Sequence, residues 1–103
     1  MSTRENERRS IIGSTAGGVM TDEAGAVTGD LEVATRRERE NLHVSVRYAG
    51  ADEWYTVAGS PVPLGDRPSP ADVHERVVSH LTRPGPVVDG NEEPVSLEGF
   101  SLA

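Results

Sequence analysis

Cysteine and lysine are both absent from this chain. Without cysteine there is no disulfide framework, no thiolate nucleophile and no cysteine-ligated zinc. Without lysine there is no Schiff-base amine and no phosphate-loop lysine. All ten basic residues are Arg, and isoleucine occurs only at Ile11 and Ile12 while valine is abundant; we read this as the codon bias of a high-GC bacterial genome. Aromatic residues make up 4% of the chain, with a single Trp and a single Phe. No apolar run approaches the ~20 residues of a membrane span, and no apolar stretch follows the first nine residues as in a signal peptide. The expectation is a soluble, cytoplasmic protein.

The charge is acidic, -7 over 103 residues. Residues 42 to 103 offer only Arg47, Arg67, Arg76 and Arg83 as fixed cations. Binding to nucleic acid needs clustered positive charge that releases counterions, and neither half of the chain supplies it. No nucleic-acid or membrane partner is therefore expected.

What is present is unevenly distributed. Residues 1 to 41 are rich in Gly, Ala, Thr and charge, and they read as a disordered or weakly structured N-terminal arm. The run Gly13-Ser14-Thr15-Ala16-Gly17-Gly18 lacks the lysine and leading strand of a phosphate loop, so it reads as a flexible linker. The stretch from Ala24 to Ala34 is too rich in small residues for a core. Thr35-Arg36-Arg37-Glu38 carries a capping-box pattern for a short helix with no hydrophobic stripe.

Residues 42 to 103 read as a small α+β domain. Leu42-His43-Val44-Ser45-Val46-Arg47-Tyr48 alternates apolar and polar residues, with Leu42, Val44, Val46 and Tyr48 pointing inward. After a turn at Ala49 to Asp52, Glu53 to Ala58 reads as the returning strand. Pairing Val46 with Tyr55 keeps the β-branched residues together on the buried side and puts Trp54 on the outer face beside Arg47, within reach of a cation–π contact, and is favoured; a slip by one sets Tyr48 against Trp54 and brings Trp54 into the core in place of Tyr55 and Val57. The two prolines of Ser60-Pro61-Val62-Pro63-Leu64 restrict that segment to an edge or an extended connection. Ser69 then N-caps a helix with Pro70 at its first position and Asp72 in its first turn, and Arg83-Pro84-Gly85 stops it. Val73, His74, Val77, Val78, His80 and Leu81 share one arc of that helix, which is expected to dock on the hairpin. Val87-Val88, the Asp89-Gly90 turn and Val95-Ser96-Leu97 suggest two final strands, giving β-β-α-β-β with one helix on a mostly antiparallel sheet. Phe100 and Leu102 are expected to close the core.

No motif names a reaction. His74, Glu75 and His80 could suggest a small metal-dependent domain, but six residues place the two histidines about 120° apart on a helix and no third ligand is indicated. Serine, histidine and aspartate are present without a nucleophile-elbow context. No cofactor, no metal and no catalytic residue is assigned. The expected function is a non-catalytic interaction module, an accessory, adaptor or inhibitory subunit, whose outer sheet face with His43, Ser45, Arg47, Trp54 and Thr56 binds a protein partner. Two other readings are the metal-dependent domain and a precursor processed in its N-terminal arm; homodimerisation through an exposed strand edge ranks below partner binding.

Overall fold

A computed structural model describes residues 7–64 and 69–100. Arg67 and Leu102, named above, lie outside these described residues. The chain forms an α+β fold with one helix and antiparallel sheets. Its central sheet runs β1 (Glu7–Gly13), β4 (Asp30–Glu38), β5 (Asn41–Tyr48) and β6 (Tyr55–Thr56), with β7 (Val62–Pro63) pairing the other end of β5. β2 (Val19–Thr21) and β3 (Gly25–Val27) make a separate hairpin. Helix α1 (Pro70–Leu81) follows, and β8 (Val87–Val88) and β9 (Asn91–Glu92) close a last hairpin.

The sequence boundary at residue 41 does not hold for the described residues. β1 and β4 lie within residues 1 to 41, and β4 is the strand between β1 and β5. Val19, Leu31 and Val33 are fully buried, Ile12 and Val27 nearly so, and all five belong to one core with Val44, Val46, Val57, Val77 and Leu81. The physical reason is pairing: Leu31-Glu32-Val33-Ala34-Thr35 alternates sides as a strand should, and a neighbour on each edge satisfies its backbone while one face is buried. Thr35 to Glu38, read above as a helical turn, is the end of this strand. The glycine-rich run is likewise a packed turn and not a linker. Gly17 donates its N–H to Glu92 Oε2 at 3.2 Å, and a Cβ at Gly17 would stand 2.4 Å from the Glu93 carbonyl oxygen, so only glycine fits.

The hairpin reading of the sequence agrees with the structure. Val46 pairs with Tyr55 and Ser45 with Thr56, and Val57 N–H donates to the Val44 carbonyl at 3.0 Å. Tyr48 departs from expectation; it stands at the end of β5 opposite Leu31 and is 42% exposed. The Pro-flanked segment is an edge, as β7 pairs only with β5. Asp89 and Gly90 both take left-handed φ, 53° and 82°, as the tight turn between β8 and β9 requires.

Helix α1 also follows its sequence signals. Ser69 Oγ accepts from Asp72 N–H at 3.2 Å, and Val73, His74, Val77 and Leu81 are buried while Val78 and His80 are half-buried. Its docking surface differs from expectation: α1 lies over β1 and β4, because those strands and not the β5–β6 hairpin offer Ile12, Ser10 and Thr35 beneath it. The order of the final strands is also corrected. β8 pairs with β9, while Val95 to Leu97 runs as a buried connection whose Val95 bonds Met20 and Gly18 and whose Leu97 bonds Ala58. Phe100 packs on the core against the His80 ring, with centroids 4.7 Å apart.

Candidate functional site on the outer sheet face

Alternation along three adjacent strands decides which side chains share the face opposite the helix. Cross-strand register sets them in rows. Glu7, Arg36 and His43 form one row; Arg9, Ala34, Ser45 and Thr56 the next; Ile11, Glu32 and Arg47 the third. The middle row is small at its centre. Ala34 is 8% exposed although it points away from the helix, so something covers it.

That cover is Trp54, one residue before β6 and on the outer side because Tyr55 faces the core. The guanidinium of Arg47 lies 4.6 Å from the indole centroid and that of Arg9 lies 5.2 Å from it. Arg47 Nε and Nη2 each reach Glu32 Oε1 at 2.7 Å, and Arg9 pairs with Glu7 while approaching Glu32 at 3.9 Å. Each cation–π contact contributes on the order of 0.5–1 kcal/mol at a partly exposed site. Two of them, with the carboxylate of Glu32 fixing both cations, hold the indole in one place.

Beside the indole lies a pocket of about 210 Å³ bounded by Glu7, Arg9, Ala34, Arg36, His43, Ser45 and Trp54. Glu38 Oε1 holds Arg36 at 3.1 Å and His43 Nε2 at 3.3 Å on its rim. Its floor is two small side chains and its walls are an aromatic ring and charged groups tied in pairs. Such a cleft can seat one side chain of a partner, with the indole supplying apolar area and the rim supplying hydrogen bonds.

Of the five residues that the sequence assigns to this face, Trp54, His43 and Ser45 line the pocket and Arg47 clamps the indole. Thr56 is set apart. Its backbone N–H and its hydroxyl donate to Glu23 at 2.6 and 2.8 Å, and these two bonds, the hydroxyl's first, hold the Glu23 carboxyl below its usual range. Arg9, Glu32, Ala34 and Arg36 were missed because they fall on the residues read as an arm. The alternation of Leu31, Val33 and Thr35 with Glu32, Ala34 and Arg36 is the signal that could have found them.

The histidines of the helix go to different places. Both ring nitrogens of His74 are engaged, Nε2 with Ser10 Oγ and Nδ1 with Thr35 Oγ1, each at 2.7 Å. His80 Nε2 meets the Ser96 carbonyl at 2.8 Å, and Glu75 stays exposed. Among the described residues no three His, Asp or Glu side chains come together as metal ligands. An open depression of about 520 Å³ flanks the helix at Asp72, Glu75, Arg76, His80 and Phe100, where opposite charges mix without convergence. No helix of the described residues is long and apolar enough to cross a membrane.

No protein-family model, curated protein or solved structure matches this chain. Any functional reading rests on the geometry alone.

Proposed function

We propose that the protein is a non-catalytic interaction module that binds a protein partner through the outer face of its central sheet. The observation that carries this reading is Trp54, held half-buried between Arg9 and Arg47 over Ala34 and Ser45, beside a pocket of one side chain's size. Trp and Arg dominate the energetics of interfaces because they bury much area at little entropic cost. Here the clamp with Glu32 immobilises them before binding, which lowers the ordering cost of association. The centre of the site is Trp54, Arg47, His43 and Ser45, joined by Arg9 and Arg36; Thr56, tied to Glu23, stands at its border.

The metal-dependent reading loses its geometric basis, since His74 spends both nitrogens on hydroxyls. The precursor reading is less favoured, since residues 7 to 41 hold strands β1 to β4.

The test is affinity capture from source cells with the wild-type protein, Trp54→Ala and Ser45→Arg, the last of which fills the pocket. The expected outcome is a stoichiometric protein bound by the wild type and lost, at least tenfold, with both variants, while both retain cooperative thermal unfolding. An identical set of captured proteins for all three would refute the outer-face site.

A further inference from the structure

The central sheet ends on one side in two short strands and on the other in β1, a seven-residue strand that pairs with β4 without a bulge from Glu7 to Gly13. Ser14 N–H donates to the Gly29 carbonyl, which fixes the phase of the ladder: Arg8, Ser10 and Ile12 exchange bonds with β4. Arg9, Ile11 and Gly13 therefore turn their N–H and C=O groups away from the sheet. Among the described residues no other backbone group bonds to these three. Edge strands are normally blunted by proline, charged side chains or a bulge; β1 has no proline and no bulge, and its charges, Glu7, Arg8 and Arg9, stand at its N-terminal end. Arg9 does not guard the edge either, because its guanidinium is drawn inward over Trp54. Next to it Ile11 is 62% exposed, the only large apolar side chain of the central sheet's outer face left in water.

We infer that β1 pairs antiparallel with β1 of a second copy about a two-fold axis through Ile11. The axis follows from what each register sets face to face. Outward-bonding residues must oppose outward-bonding residues, so the axis passes through one of the residues from Arg8 to Ile12; at Ile12 only Ile11 and Gly13 are paired and Arg9 is left without a strand partner. Axes at Arg8 and Arg9 put like charges directly opposite, which is unfavourable. An axis at Ser10 sets each Ile11 against Arg9, whose charge is committed elsewhere. An axis at Ile11 sets Ile11 against Ile11 and Arg9 against Gly13, covers the exposed isoleucine, and satisfies the outward groups of all three residues.

Strand pairing alone covers too little surface for a stable dimer, and the helix supplies more. α1 lies over β1 and β4, so two strand spacings of ~4.8 Å bring the two helices to about 10 Å, a packing distance. On the helical wheel exposed Ala71 and half-buried Val78 sit beyond His74, on the side away from His80, with Val78 packing in part against the core, and His74 is bonded to Ser10 of the edge strand. They are the side chains the second helix would meet. The contact is isologous and closes at two copies.

Light scattering coupled to size exclusion on the full chain, from about 10 µM to 1 mM, tests this. The expected mass is twice the 11.0 kDa of one chain at the upper concentrations; a single-chain mass throughout overturns the proposal. Ile11→Pro removes an outward N–H and no β4 bond, so it is expected to give a folded monomer. Ile11→Lys and Ile11→Glu, each on the exposed surface, are expected to weaken the dimer at least tenfold singly and to restore it when mixed in equal amounts. Because position 11 faces itself, a mixture that stays monomeric, or an Ile11→Glu dimer tighter than wild type, refutes the Ile11 axis.

Discussion

His74 shows how much one residue can carry without any chemistry of its own. It is buried to 6% exposure beneath α1 and links the helix to β1 through Ser10 and to β4 through Thr35. Burial first, and then the positive charge of Arg8, disfavour its imidazolium and outweigh the attraction of Glu75, so its pKa lies below the ordinary 6.5. The folded protein thus binds this proton less readily than the unfolded chain does. Stability from this source is complete above about pH 6.5 and falls as the pH drops toward the folded pKa, by at most about 1.4 kcal/mol per pH unit. Urea unfolding between pH 8 and 5 is expected to show this decline, and His74→Asn, which has no titratable group, is expected to flatten it. A wild-type protein with no slope in that window would count against the assignment. The position of His74 on the apolar arc was legible from the helical wheel; its partners were not, since Ser10 and Thr35 are 64 and 39 residues away in sequence.

At the scale of elements, the signals that worked are local. Ser69, Pro70 and Asp72 define the start of α1 within one turn, and strict alternation from Leu42 to Arg47 defines β5. The capping-box pattern at Thr35 and Glu38 misled because it names an N-terminus and not a helix; without a stripe every three to four residues, strand pairing on both sides wins. The turn that joins β4 to β5 carries a cost of this kind. Arg39 sits at φ 60° in a two-residue loop, a left-handed conformation that non-glycine residues adopt at about 1 kcal/mol. Arg39→Gly is expected to stabilise the protein by at most about 0.5 kcal/mol net of glycine's larger unfolded-state entropy. A raised denaturant midpoint at unchanged slope would show it; a lowered midpoint would mean that the Arg37 Nε bond to the Arg39 carbonyl depends on the arginine's conformation.

For the whole molecule the decisive fact is that its first third builds the middle of its sheet. Residues 42–103 alone lack β4, so β5 loses the partner along its full length and Val44 and Val46 lose Leu31 and Val33 as core neighbours. A fragment of residues 42–103 is expected to show no cooperative thermal transition by circular dichroism, and one that melted cooperatively would mean that the domain boundary does fall at 41. This dependence also constrains function, because Arg9 and Glu32 of the N-terminal strands fix Trp54 of the hairpin. The site is a product of strands distant in sequence, and neither part presents it alone.

Composition excluded disulfides and lysine chemistry, and local periodicity determined the helix with its cap and narrowed the β5–β6 pairing to two registers, of which the structure has the one that puts Trp54 beside Arg47. Only the tertiary structure decided that β1 and β4 enter the sheet, that α1 docks on them, and that Arg9 closes the second side of the indole. The reason is the reach of the interactions. Caps, turns and alternation act over a few residues and are written in order along the chain, whereas strands as short and as rich in charge and small residues as these become stable only when a paired neighbour supplies their hydrogen bonds and the helix buries their inner face.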